Sequence, residues 1–135
     1  MSTCKILFVD DDPEDHAIFK DAMETVEAGD IIEYAGNGLD ALKFLENDYK
    51  SGNLPALIIL DLNMPMINGT QTLEIVKKDP RFQDIPVIIY STSVNSFEKD
   101  KCMLLGAHSY ITKPVSYTQY IETAKVFLHF CSPSN

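Results

Sequence analysis

The chain has 135 residues, of which 45% are hydrophobic and 23% are charged, and its net charge is −9 at neutral pH. This length allows one domain with a real core and is too short for a second unit of ordinary size. The composition excludes disordered and fibrous classes, and the negative charge argues against a nucleic-acid partner, since it repels phosphate backbones. We therefore expect a single domain over residues 1–135, with a core from about residue 4 to 130 and no output domain.

The sequence contains neither an apolar run long enough to cross a bilayer nor a secretory leader. We therefore expect a cytoplasmic location and no membrane partner. The three cysteines, Cys4, Cys102 and Cys131, are odd in number and widely spaced, so we expect all three to be reduced, structural thiols.

Five apolar or half-apolar runs alternate with five segments of helical periodicity. The predicted strands are Lys5–Val9, Ile31–Ala35, Leu57–Leu60, Val87–Tyr90 and Ser109–Thr112. The predicted helices run from Pro13 to about Glu27, from Gly38 to Ser51, from Gly69 to Lys78, from Ser96 to about Leu105, and onwards from Ser116.

Residue types at the helix ends and the helical spacing predict caps and buried faces. Asp12 is a natural N-cap before Pro13, and Ser116 with Gln119 predicts a capping box. The predicted buried stripes are Ile18, Ala22, Met23 and Val26 in the first helix; Leu39, Leu42, Leu45 and Tyr49 in the second; Phe97, the Lys101 stem, Leu104 and Leu105 in the fourth; and Tyr120, Ile121, Ala124, Phe127 and Leu128 in the last.

The alternation of strands and helices predicts a parallel sheet with right-handed crossovers and helices on both faces. The first, third and fourth strands are apolar throughout and should be central, whereas the mixed second and fifth strands should be edges. The order 2-1-3-4-5 satisfies these conditions and makes the fold a doubly wound α/β sheet. Its switch point lies between strands one and three, so their carboxyl ends should face one crevice.

Polar side chains follow four of the five predicted strands. Asp10 and Asp11 follow the first strand, Asp61 the third, Ser91 the fourth and Lys113 the fifth. Each residue alone could be a turn or surface residue, but their convergence at one end of one sheet predicts a reaction site.

The predicted site suits phosphoryl transfer. Three carboxylates in one pocket repel each other, and Mg²⁺ relieves that repulsion while leaving positions open for water and a phosphoryl oxygen. The Ser91 hydroxyl and the Lys113 ammonium could hold the remaining phosphoryl oxygens. Because a carboxylate can itself attack phosphorus, Asp61 is the candidate nucleophile of an aspartyl phosphate.

Over nearly its whole length the chain resembles the CheY-like receiver domain of two-component response regulators, which has a flavodoxin-like fold. The motifs that carry the resemblance are the acid pair Asp10-Asp11, Asp61 in DLNMP, Ser91, Tyr110, and Lys113 followed by Pro114. The run Ser91-Thr92-Ser93 further resembles the hydroxyl-rich loop of small stand-alone regulators encoded with sensor kinases such as phytochromes.

The resemblance implies how the site would work. Asp61 would accept a phosphoryl group from a phosphohistidine on a sensor histidine kinase or a histidine phosphotransfer protein. Mg²⁺ would be bound by Asp11, Asp61 and the backbone carbonyl of Asn63, with Asp10 acting through a water. The protein would not be an enzyme in the usual sense, because it would catalyse only its own phosphorylation and dephosphorylation.

The resemblance also implies a switch. Ser91 would turn inward to bond the phosphoryl group, and Tyr110 would follow into the vacated space. The surface of helix four, strand five and helix five would then change and bind a downstream protein. The bond between Lys113 and Pro114 is expected to be cis, which would aim the lysine.

Other functions stay open at this point. A haloacid dehalogenase-type phosphatase would use Asp10 and Asp12 as its DxD pair, although Pro13 stands where that family needs threonine or valine. A flavodoxin-like FMN carrier would need a phosphate loop where this chain has three acids, and a pseudo-receiver would bind partners without phosphorylation.

Aromatic and histidine side chains outside the site are also open to interpretation. Four aromatic residues make the last helix apolar on more than one side, which fits a partner or homodimer surface as well as a buried terminal helix: Tyr117, Tyr120, Phe127 and Phe130. His16, His108 and His129 lack a metal-ligand partner at suitable spacing, and we expect structural roles for them.

Overall fold

A computed structural model describes residues 4–92 and 95–131, and within them five strands alternate with five α-helices. The strands are β1 (Ile6–Val9), β2 (Ile32–Ala35), β3 (Leu57–Leu60), β4 (Val87–Ser91) and β5 (Ser109–Thr112). The helices are α1 (Pro13–Thr25), α2 (Gly38–Ser51), α3 (Gly69–Lys78), α4 (Ser96–Leu104) and α5 (Tyr117–Leu128). Two 3₁₀ turns, Gly29–Ile31 and His129–Cys131, precede β2 and follow α5.

The strands form one parallel sheet in the order β2-β1-β3-β4-β5, which confirms the predicted topology. Val9, the last residue of β1, pairs with both Ala35 and Leu60. Because these strands end at the same level, the residues that follow β1 and β3 emerge together at one edge of the sheet.

Burial separates the central strands from the edges as predicted. Every residue of β1, β3 and β4 is buried, whereas β2 and β5 are largely half-buried. Alternate residues of the central strands pack on opposite faces of the sheet, against α1 and α5 on one side and against α2, α3 and α4 on the other. None of the helices in the described ranges is long and apolar enough to span a bilayer.

The predicted buried stripes are confirmed in part. Ala22 and Met23 of α1 and Leu45 of α2 are buried as predicted. Other members are wrong: Ile18, Leu39 and Tyr49 are exposed by more than a third, and Phe97 and Leu104 of α4 are 76% and 89% exposed. The core also contains residues that were not predicted to be buried, namely Phe19 in α1, Ala41 in α2 and Cys102 in α4. These helices carry apolar residues on more than one side, and the crossing of each helix over the sheet decides which side is buried. In α5, Ala124 and Phe127 are buried as predicted.

The observed helix ends differ from the predicted ones in three details. Helix α1 ends at Thr25, two residues before the predicted end, and Glu27 has a φ of 63°. Ser116 caps α5, but the Gln119 side chain accepts from the N–H of Val115 and so does not complete the predicted box. A complete capping box that was not predicted begins α3 at Asn68 and Gln71.

The cysteines also differ from the prediction. Cys4 and Cys131 form a disulfide, with Cα atoms 5.5 Å apart across a sequence separation of 127 residues. Cys102 is free and buried, as expected. The 3₁₀ turn that follows α5 lies beside the amino end of β1, and this tertiary proximity brings the two distant thiols together.

Candidate functional site

Three carboxylates meet at the carboxyl ends of β1 and β3. Asp10, Asp11 and Asp61 each offer an oxygen atom, and these atoms lie within 4.8 Å of one another. Asp10 and Asp61 are buried, whereas Asp11 is exposed. The acidic cluster that the sequence predicted is therefore assembled by the register of two neighbouring strands.

Asp12 does not belong to this cluster. Its side chain accepts from the backbone N–H of Glu14 at 2.9 Å and caps α1, as predicted. Its own N–H donates to the Asp10 carboxylate at 2.9 Å. The Asp10 and Asp12 pair that the phosphatase hypothesis needs is thus divided between the acidic cluster and a helix cap.

The loop after β3 passes close to the Asp61 backbone. A Cβ atom at Gly69 would collide with the carbonyl oxygen of Asp61, so only glycine fits where α3 begins. The N–H of Gly69 donates to the Leu62 carbonyl at 3.0 Å, and the N–H of Asn63 bonds to the Asp61 carboxylate. Metal ligation by the Asn63 carbonyl stays a prediction.

Lys113 reaches this cluster from the end of β5. Its ammonium donates to Asp10 at 2.8 Å and to Asp15 at 2.6 Å, and it lies 3.6 Å from Asp61. Its backbone N–H donates to the carbonyl of Ser91 at 2.8 Å. The described residues contain no cis peptide bond, so the expectation of a cis bond before Pro114 is wrong. Lys113 reaches the acids through the trans bond, which X–Pro sequences ordinarily favour.

Two site contacts were missed in the sequence. The sequence pattern does not single out Asp15, because an acid in the first turn of a helix ordinarily interacts with the helix dipole. His16 bonds through Nε2 to the Asp10 carbonyl at 2.5 Å. Since a carbonyl can only accept, Nε2 of His16 carries the proton, and the ring supports the end of β1.

Burial and neighbouring charges shift the pKa values of the acids of the site. Burial, followed by the neighbouring charge of Asp10, raises the pKa of Asp61 to about 6 against the opposing effect of Lys113. Burial likewise raises the pKa of Asp10 above its ordinary value. Burial alone would lower the pKa of Lys113, but its hydrogen bonds to Asp10 and Asp15 raise it above its ordinary value. One ammonium thus offsets part of the negative charge.

Oxygen ligands of this kind suit a hard divalent cation. The cluster offers three carboxylates, two of them buried, and the single ammonium beside them is already bonded to Asp10 and Asp15. The donor set therefore fits Mg²⁺, which would be held by Asp11 and Asp61 with Asp10 beside them and would supply electrostatic neutralisation.

The predicted switch residues occupy two neighbouring strands. Ser91 is fully buried at the end of β4, where it pairs with Thr112 of β5. Tyr110 is half-buried and packs against the core on the side of α2, α3 and α4. Their switching roles stay predictions, and Ser93 of the predicted hydroxyl-rich loop lies outside the described residues.

Known sequences resemble this chain over most of its length. Residues 6–125 match the family model of the response regulator receiver domain. The response regulator Rcp1 of Synechocystis is 31% identical over 110 residues, which cover 80% of this chain and 75% of Rcp1. The polar-differentiation response regulator DivK of Brucella anthropi is 28% identical over 123 residues, covering 91% of this chain and 94% of DivK.

Solved structures of similar chains have the same fold. The phosphorylated cyanobacterial phytochrome response regulator RcpA has a TM-score of 0.82 at 28% identity, covering 95% of this chain and 94% of its own. The Mn²⁺-bound form of Rcp1 has a TM-score of 0.80 at 26% identity, covering 96% of this chain and 94% of its own. The family match, the sheet order and the acidic cluster agree, and the chain belongs to the response regulator receiver domain family of two-component signalling.

Proposed function

We propose that this chain accepts a phosphoryl group from a phosphohistidine onto Asp61 in a Mg²⁺-dependent reaction. The observation that carries the proposal is the position of Asp61, which is 5% exposed and lies beside two further carboxylates and one buried ammonium. Receiver domains of this kind interact with histidine kinases and downstream targets. A sensor histidine kinase or a histidine phosphotransfer protein is therefore the proposed donor.

The proposed transfer is a single displacement at phosphorus. A carboxylate oxygen of Asp61 attacks, the P–N bond to histidine breaks, and the bonding electron pair stays on the imidazole nitrogen. Bound Mg²⁺ would neutralise charge on the phosphoryl oxygens and the acids. Lys113 and the Ser91 hydroxyl bind the remaining phosphoryl oxygens, and the backbone carbonyl of Asn63 completes the proposed metal ligands. The protein catalyses only its own phosphorylation and dephosphorylation.

The proposed output surface comprises α4, β5 and α5. Its α4 face is supported by the exposure of Phe97 and Leu104, two large apolar side chains that the fold leaves outside the core. Ser91 turns to the phosphoryl group and Tyr110 follows, so that one local charge event biases the surface toward a downstream protein or a second copy of the chain. Residues 1–135 act as one receiver domain in this proposal.

Phosphorylation by a small donor tests this proposal. Purified protein is incubated with acetyl phosphate and Mg²⁺, and its intact mass is measured beside that of Asp61→Asn. We expect a mass gain of one phosphoryl group in the wild type, lost in the variant and on addition of EDTA. No gain in the wild type would contradict the proposal and favour phosphorylation-independent partner binding. A gain that persists in Asp61→Asn would contradict the assignment of Asp61.

A further inference from the structure

The ammonium of Lys113 is shared unequally among three acids. It lies 2.6 Å from Asp15 and 2.8 Å from Asp10, both within hydrogen-bond distance, but 3.6 Å from Asp61. The shortest of these contacts is therefore made to a carboxylate outside the three-acid cluster. In this state Lys113 is bonded to Asp15 of α1 and to Asp10, which follows β1, and it lies within ion-pair distance but outside hydrogen-bond distance of the proposed phosphoacceptor.

The surroundings keep both members of the closest pair in place. The Lys113 side chain is 9% exposed, and its ammonium lies 5.8 Å from the centre of the Tyr90 ring. Asp15 belongs to the first turn of α1, whose start is set by the Asp12 cap and by Pro13. Asp15 is thus carried by a rigid element, and its position does not depend on the loops that follow β3 and β5.

We infer that Asp15 is a positioning residue that holds the Lys113 ammonium away from Asp61 until a phosphoryl group arrives. This inference rests on the proposed phosphorylation of Asp61. A phosphoryl group carries more charge and more acceptor oxygens than the carboxylate of Asp15, so it outcompetes Asp15 for the ammonium. Asp15 therefore sets how readily Lys113 moves from its resting partners to the modified Asp61.

A plainer role for Asp15 makes a different prediction. An acid in a first helical turn stabilises the helix dipole, and Glu14, the preceding residue, carries the same charge in the same turn. If Asp15 acted only in this way, its neutralisation and that of Glu14 would have equal effects. If Asp15 holds Lys113, only its own neutralisation removes one of the two charged hydrogen bonds of the ammonium and leaves the bond to Asp10.

The kinetic test compares Asp15→Asn with Glu14→Gln and with Asp15→Glu. Initial rates of phosphorylation by acetyl phosphate with Mg²⁺ are measured by intact mass, after thermal unfolding has shown that each variant folds. We expect Asp15→Asn to react about three- to tenfold faster than the wild type, because a charged hydrogen bond that competes for Lys113 is lost. Glu14→Gln should react at the wild-type rate, and Asp15→Glu should restore slow reaction because it keeps the carboxylate.

A structural test needs neither phosphodonor nor metal. In a crystal structure of metal-free Asp15→Asn, the Lys113 ammonium should lie within hydrogen-bond distance of Asp61. An ammonium that stays at its present distance from Asp61 overturns the inference. If Asp15→Asn is phosphorylated at the same rate as Glu14→Gln, the inference is also overturned. In that case, phosphorylation of the wild type leaves the proposed function standing. A wild type that is not phosphorylated overturns both.

Discussion

The backbone N–H of Asp61 donates to the carbonyl oxygen of Val9 at 3.0 Å. Asp10 follows Val9 directly, so this bond of the sheet holds two buried carboxylates side by side at its carboxyl edge. Lys113 offsets only part of their repulsion, since Asp11 adds a third negative charge. This repulsion destabilises the folded state, so a divalent cation that relieves it should stabilise the folded state.

Mg²⁺ should raise the stability of the wild type and should do so much less in Asp11→Asn. Asp11 is the exposed acid of the cluster, so its replacement removes a proposed ligand and a charge while sparing the core. A ligand at 100 times its dissociation constant adds about 2.7 kcal/mol to the free energy of unfolding. Urea unfolding with and without Mg²⁺ measures this. Asp100→Asn, in exposed α4, should keep the full response, and equal responses in the two variants would contradict the prediction.

The free energy of unfolding should fall as the pH rises from about 5 to about 7.5, partly because of Glu33. Burial, followed by the neighbouring carboxylate of Asp48, raises the pKa of Glu33 from 4.5 to about 7, and Lys5 opposes the shift only partly. Between pH 4.5 and about 7, the Glu33 carboxyl is ionised in the unfolded protein but keeps its proton in the folded protein. The folded state then binds more protons, so stability decreases with rising pH.

Glu33→Gln should flatten this decrease, because glutamine has no proton to lose. Urea unfolding of both proteins at pH 5 and pH 7.5 measures the difference. A residual slope should remain in the variant, since Asp61, whose pKa is raised to about 6, acts in the same direction. An identical slope in the wild type and in Glu33→Gln would contradict the assignment to Glu33.

Gly69→Ala should destabilise the fold and slow phosphorylation of Asp61. The new methyl group would collide with the carbonyl oxygen of Asp61 and push the site backbone out of place. Overpacking of this kind costs about 1–3 kcal/mol. Gly36→Ala is the matched control, because a Cβ atom there has no heavy atom within 4 Å. Comparable losses of stability in the two variants would show that the close approach to Asp61 is not the cause.

Removing the disulfide should lower the stability of the oxidised protein. The bond between Cys4 and Cys131 closes a loop of nearly the whole chain, and loss of such a cross-link costs on the order of 3–5 kcal/mol through the entropy of the unfolded state. Urea unfolding of Cys4→Ser/Cys131→Ser beside the oxidised wild type measures this. Reductant should lower the wild type to the level of the variant and leave the variant unchanged, whereas a reductant-insensitive wild type would contradict the prediction.

The sequence by itself determined the architecture and most of the acidic site. Apolar runs and helical spacing predicted the strand order, because a strand buried on both faces differs in composition from an edge strand. Asp10, Asp11 and Asp61 could be predicted as neighbours because they follow strands that the topology makes adjacent. These features depend on local patterns and on a small number of allowed connections between elements.

Only the tertiary structure decided the contacts that depend on side-chain reach and on the crossing of elements. The pairing of Lys113 with Asp15 spans 98 positions, and the bond between Cys4 and Cys131 spans 127. The same holds for α4, where Cys102 faces the core and Leu104 faces outward although both lie on one short helix. Sequence periodicity states which residues share a face, but the packing angle between a helix and the sheet decides which face is buried.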